Sequence, residues 1–105
     1  MNKITIQVKK FTTIPGGRRR GSGDNSAEEF FEDYILPHLE NNHDDVVVID
    51  FSGTWGYPIS FISQLGLFLK DTLGSKDAVK RRIETIATDN PDVTRLFWEL
   101  LEEDS

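Results

Sequence analysis

The run DVVVIDF at residues 45–51 constrains this chain more than any other feature. Four consecutive β-branched residues, Val46 to Ile49, put apolar side chains alternately on both sides of an extended backbone. A strand of this kind has no face to give to water, so it belongs at the centre of a sheet covered on both sides. The chain has 105 residues, 37% of them hydrophobic, with seven Phe, two Tyr and two Trp. That suffices for one modest core, so residues 1–105 are expected to form a single domain.

The flanking segments fall into order around this strand. Ile4, Ile6 and Val8 alternate with Thr5, Gln7 and Lys9, which predicts a half-buried strand over residues 3–12. Pro15, Gly16 and Gly17 break it. Residues 15–25 form a loop, with room for a short second strand through Arg18, Arg19 and Arg20. Ser26 and Glu29 have the spacing of a capping box. Phe30, Phe31, Tyr34, Ile35 and Leu39 continue as the apolar stripe of a helix, in which Pro37 should force a kink or a break.

After the central strand, residues 52–60 (SGTWGYPIS) form a turn-rich crossing. Ser60 can then cap a helix carrying Phe61, Ile62, Leu65, Phe68, Leu69 and Leu73. Gly66 inside it costs roughly 1 kcal/mol against alanine and would let the helix approach the sheet. Gly74 is placed to end it. Residues 80–88 (KRRIETIAT) read as another strand with Ile83 and Ile86 facing the core. Asn90 and Pro91 start a last helix with Val93, Leu96, Phe97, Leu100 and Leu101 on its apolar side. The order β-(β)-α-β-α-β-α predicts an α/β fold. It is a mixed sheet of about four strands with two or three helices packed on it, joined by right-handed crossovers.

Function classes narrow by composition. The formal net charge of -6 disfavours nucleic acid and anionic membrane. With no cysteine, there are no disulfides, thiolate metal sites or cysteine nucleophiles, which fits a reducing cytoplasm. No apolar run is long enough for a bilayer. His38 and His43, five residues apart beside Asp44 and Asp45, read as a solvated turn and not as a metal site, because nothing is spaced to complete a ligand shell. No serine–histidine–acid set is recognisable, so no catalytic residue, cofactor or metal is expected.

Three places remain. Gly16, Gly17, Arg18, Arg19, Arg20 and Gly21 read either as a solvated hairpin tip or as a cradle for an anion, since glycine exposes backbone donors and arginine forks onto phosphate. Asp50, Ser52 and Thr54 lie at the carboxyl end of the central strand, where crevices form in open α/β sheets. Trp55, Tyr57, Pro58 and Ile59 either fill the rim of the core or project as contact anchors. Ser60 is either a cap or a position where a phosphate would be stabilised.

The combination of PGGR (15–18), S-x-E-x-F (26–30), I-L-P-x-L (35–39), V-I-D-F-S-G-T-W-G-Y (48–57) and S-F (60–61) resembles the STAS-like domains of unknown function. These are related in fold to bacterial anti-sigma-factor antagonists. The resemblance spans roughly residues 3–103 and accounts for Pro37 as a family feature. It implies a non-enzymatic regulatory module that binds a kinase-like, ATP-binding or other signalling protein. The implied surface is Thr54, Trp55, Tyr57, Pro58, Ile59, Ser60, Phe61 and Gln64, with Ser60 nearest the position that is phosphorylated in the antagonists. This chain departs from that pattern, with Ile59 where the serine is as readily expected and Ser63-Gln64 in place of acidic residues. Constitutive binding is therefore expected over a phosphorylation switch. The alternative is a small-ligand or nucleotide-binding domain using the Gly/Arg-rich loop. A homo-oligomer through the first strand stays open, although Lys3, Lys9 and Lys10 discourage edge pairing.

Overall fold

Strand β2 (Val46–Asp50) lies between β1 (Lys3–Gln7) and β3 (Ile83–Ile86), and both pairings are parallel. The computed structural model describes residues 3–12, 26–41, 45–54, 57 and 59–103. Among these, the sheet has three strands in the order β1-β2-β3. The expected α/β class holds, but the sheet of described residues is parallel and not mixed. The further strand expected at Arg18 to Arg20 lies outside the described residues.

The register explains why β2 is apolar throughout. Val47 pairs with Ile4 and Ile83, and Ile49 pairs with Ile6 and Thr85. Val47, Ile49 and Ile83 join the core cluster together with buried side chains from every helix. Val46 and Val48 face the other way, yet each is only 5% exposed. On that side Lys3 pairs with Val46 and Glu84 with Val48. Lys3 Nζ meets Glu84 Oε2 at 2.9 Å, so the two edge strands are bridged across β2. An exposed ion pair of this kind contributes little by charge alone.

Among the described residues, five helices surround the sheet: α1 (Val8–Phe11), α2 (residues 27–41), α3 (Ile59–Leu73), α4 (Lys76–Arg82) and α5 (Pro91–Glu103). The strand expected over residues 3–12 thus stops at Gln7, where Val8 turns inward, fully buried, to begin α1. The expected strand over residues 80–88 is also shorter. Ser75 Oγ accepts the Ala78 amide at 3.2 Å and starts α4, and Lys80, Arg81 and Arg82 suit its negative carboxyl end. Only residues after Arg82 extend as β3. Ile83 is buried, whereas Ile86 is 40% exposed, since an odd spacing along a strand places the two on opposite faces.

α2 begins at Ser26, whose Oγ accepts the Glu29 amide at 3.1 Å. It runs as Ala27–Phe30, a π-helical Phe31–Ile35 and Leu36–Asn41. Of the kink or break expected at Pro37, the break does not occur. Instead, the turn before it widens, with the Leu36 amide donating to the Phe31 carbonyl. The wider turn gives the proline ring the room that a regular turn denies it. Phe30, Phe31, Ile35 and Leu39 are buried, while Tyr34 is at the surface and stacks on Phe30.

Helices α3 and α5 pack on each other. Gly66 is the close approach: a Cβ there would lie 3.5 Å from Leu101 Cδ1 and 3.9 Å from Phe97 Cε1. Gly66 therefore faces α5, and not the sheet as expected. Trp98 Nε1 donates to Thr85 Oγ1 at 3.0 Å and ties α5 to β3. Gly74 ends α3 at φ 100°, with its amide on the Lys70 carbonyl at 2.8 Å. No helix of the described residues is long and apolar enough to cross a membrane.

The two glycines should respond oppositely to alanine. Gly66→Ala meets only ordinary contact distances, so it should raise stability by about 0.5–1 kcal/mol through helix propensity. Gly74→Ala forces a left-handed backbone and should lower stability by about 1 kcal/mol. Urea unfolding of both variants checks the signs. A loss of stability in Gly66→Ala would mean that the α3–α5 contact is already too tight for a methyl group.

Candidate functional site

The carboxyl ends of β2 and β3 meet in a set of short hydrogen bonds. The Phe51 amide extends the ladder by donating to the Ile86 carbonyl at 2.7 Å. Asp50 Oδ1 accepts the Ser52 amide at 2.9 Å, which turns the chain immediately after the strand. Ser52 Oγ accepts the Thr88 amide at 2.8 Å and lies 3.0 Å from Thr88 Oγ1. The Gly53 amide donates to Asp89 Oδ2 at 2.9 Å. The β2–α3 and β3–α5 connections are therefore fastened to each other by two adjacent residues from each.

Gly53 is required at this point. Its φ is 86°, and a Cβ would fall 2.7 Å from Cδ of Lys9, at the end of β1. All three strands thus contribute to one edge: Lys9 follows β1, Asp50 and Ser52 end β2, and Thr88 and Asp89 follow β3.

Tyr57 closes the turn from the other side. Its hydroxyl donates to the Phe51 carbonyl at 2.9 Å. Its ring sits edge-on to Phe51 with centroids 5.2 Å apart, and 5.7 Å from the Phe61 ring. Burial pushes its pKa well above the ordinary tyrosine value. A hydrogen bond with Thr54 acts in the opposite sense, and the negative charges of Asp50 and Asp89 add to the rise.

The residues proposed from sequence divide sharply here. Ile59 is 64% exposed in the first turn of α3, whereas Phe61 is fully buried in the core. Phe61 is thus a core residue and not a contact anchor, because it packs against Phe30 and Tyr57. Ser60 is the second residue of α3, so the helix begins two residues earlier than a Ser60 cap requires. Thr54, Tyr57, Ser60 and Gln64 are half-buried. Trp55 and Pro58 lie outside the described residues, as do Gly16, Gly17, Arg18, Arg19, Arg20, Gly21 and His43. Sequence reasoning missed Lys9, Thr88 and Asp89. The usable signal was the T-D-N-P run (88–91) directly after a strand, which is itself a strand-end loop.

The polar groups at this edge spend their hydrogen bonds on each other. Asp50 and Asp89 hold backbone amides, and Ser52 is engaged by Thr88, not by a base. No group of three or more His, Asp or Glu among the described residues is arranged to hold a metal ion. What the arrangement can do is fix a backbone turn and present the start of α3. Compared with known protein families, curated proteins and solved structures, the chain matches none.

Tyr57→Phe should cost about 0.5–1.5 kcal/mol by orphaning the Phe51 carbonyl. It should also alter the alkaline limb of stability. The folded state holds the Tyr57 proton more tightly than the unfolded chain. Its contribution is whole below about pH 10 and drains away as the pH rises beyond that value. Urea unfolding at about pH 8 and pH 11 should therefore show a smaller alkaline loss in Tyr57→Phe than in the parent. Equal losses would mean that the hydroxyl is not shielded.

Proposed function

We propose that this chain is a non-enzymatic, STAS-like interaction module that binds a kinase-like or other signalling protein through the β2–α3 connection and the first turn of α3. The observation that carries the reading is Ile59, a large apolar side chain 64% exposed at the head of a helix whose next two turns bury Phe61, Ile62, Leu65 and Gly66. An isolated exposed isoleucine is ordinary on a protein surface. This one comes after a turn fixed by Asp50, Ser52, Asp89 and Tyr57, so it is presented in a set geometry. A preorganised apolar contact loses little freedom on binding.

The same hydrogen bonds favour binding over catalysis. A hydrolytic or transfer site needs a nucleophile beside a base, and at this edge the serine and both carboxylates are committed to the backbone and to Thr88. The location at the carboxyl end of parallel strands and the residue pattern over 48–61 both agree with the STAS-like reading. In this reading Thr54, Ser60 and Gln64 flank the contact, and Phe61 supports it from beneath.

A photo-crosslinking residue placed at position 59 should give one dominant protein adduct in the producing cell, an ATP-binding regulator. The same residue at position 77, on exposed Asp77 of α4, should give none. With the partner purified, Ile59→Asp should weaken binding roughly tenfold or more at unchanged melting temperature. Equal adducts at both positions, or an affinity unmoved by Ile59→Asp, would remove this surface from the reading.

A further inference from the structure

We propose that Thr88 and Asp89, which lie outside the contact surface, act as a catch that sets its conformation, so that the surface is governed from the β3–α5 connection. This rests on the interaction reading and names what regulates that same surface. Four contacts carry it. The Gly53 amide is held by Asp89 Oδ2, and the Thr88 amide by Ser52 Oγ. The Ser52 and Thr88 hydroxyls share a third bond. On the far side of the turn Tyr57 bonds the Phe51 carbonyl.

Each of these bonds has a different consequence when lost. Ser52 is already turned by Asp50, a contact local to its own strand end. Gly53 has no such local acceptor in the turn. Its positive φ aims the amide across to the next connection, where Asp89 receives it. Glycine without its acceptor is free to leave that conformation at no steric cost. Loss of the Asp89 carboxylate therefore releases the turn at Gly53 and Thr54, and with it the direction in which Ile59 is offered. The core beneath, built on Phe51, Phe61 and Phe97, does not depend on this bond.

The catch sits at the surface, since Gly53, Thr88 and Asp89 are all exposed. An adjacent chain or a charge placed beside Thr88 can reach it without entering the core. Because coupling is reciprocal, a partner that fixes the head of α3 must also protect the Thr88 and Gly53 amides.

Amide hydrogen exchange of the free chain tests the catch without any partner. Asp89→Ala should speed exchange at Gly53 roughly tenfold, with Val47 and Leu65 unchanged. Asp89→Asn keeps an acceptor oxygen and should restore most of the protection. Ser52→Ala, as a second variant, should speed exchange at Thr88. A parent rate at Gly53 in Asp89→Ala would overturn the proposal. So would a uniform rise across the chain or failure of both variants to fold, since either makes Asp89 a general stabiliser. A catch that passes while the crosslink at position 59 fails would leave the turn controlled but the partner reading lost.

Discussion

The structure depends on burying one strand from both sides. Val46, Val47, Val48 and Ile49 are all 5% exposed or less, and each such side chain contributes about 1.5–3 kcal/mol when taken from water. Helices cover Val47 and Ile49 with a continuous aromatic and aliphatic cluster. Val46 and Val48 lie on the side where Lys3 and Glu84 reach across from the edge strands. A strand placed in this way has no freedom of register, because a slip by one residue would exchange the two environments.

A fixed β2 also fixes the connection leading out of it. Asp50 and Phe51 end the strand at a set height, and the turn beyond them is held to the neighbouring connection by Ser52 and Gly53. The polar residues of this edge are thus structural in a specific sense: they convert the rigidity of the sheet into rigidity of the turn at Ser52 and Gly53. Tyr57 completes that conversion by placing an aromatic ring over Phe51 and Phe61 while its hydroxyl satisfies a carbonyl. A turn held in this way is suited to recognition, and the functional reading rests on that property.

Much of this was legible in the chain. The β-branched run announced β2, Ser26 announced α2, and the apolar spacing of α3 and α5 placed their buried faces. The misses have physical causes. Val8 continues the alternation of Ile4 and Ile6, so the pattern carried no mark of the turn into α1. In residues 80–82 the basic residues suit a helix end, but without Ser75 read as a cap they pass for a strand edge. Pro37 signals a disturbed helix, and sequence alone does not distinguish a break from a widened turn. At the site, the strand-end residues of β2 were readable from topology. Their partners Thr88 and Asp89 were not, because the bond between two connections depends on which strands are neighbours. Phe61 and Ile59 were not separable either, since their assignment to core or surface turns on where α3 begins, which differed by two residues.

The parallel sheet carries a kinetic consequence. Each strand pairs only with strands far away in sequence, Lys3 with Val46 and Val47 with Ile83. Neither pairing among the described strands is a hairpin, so none can form from local contacts and grow. The chain must close one large loop for each neighbour that β2 gains, and the entropy of each closure is spent in advance of the burial that repays it. Helices α2 and α3 form within those loops and shorten the search. Until β3 arrives, the most hydrophobic strand of the protein has an open edge. That interval is when this chain is most exposed to mispairing with another copy of itself.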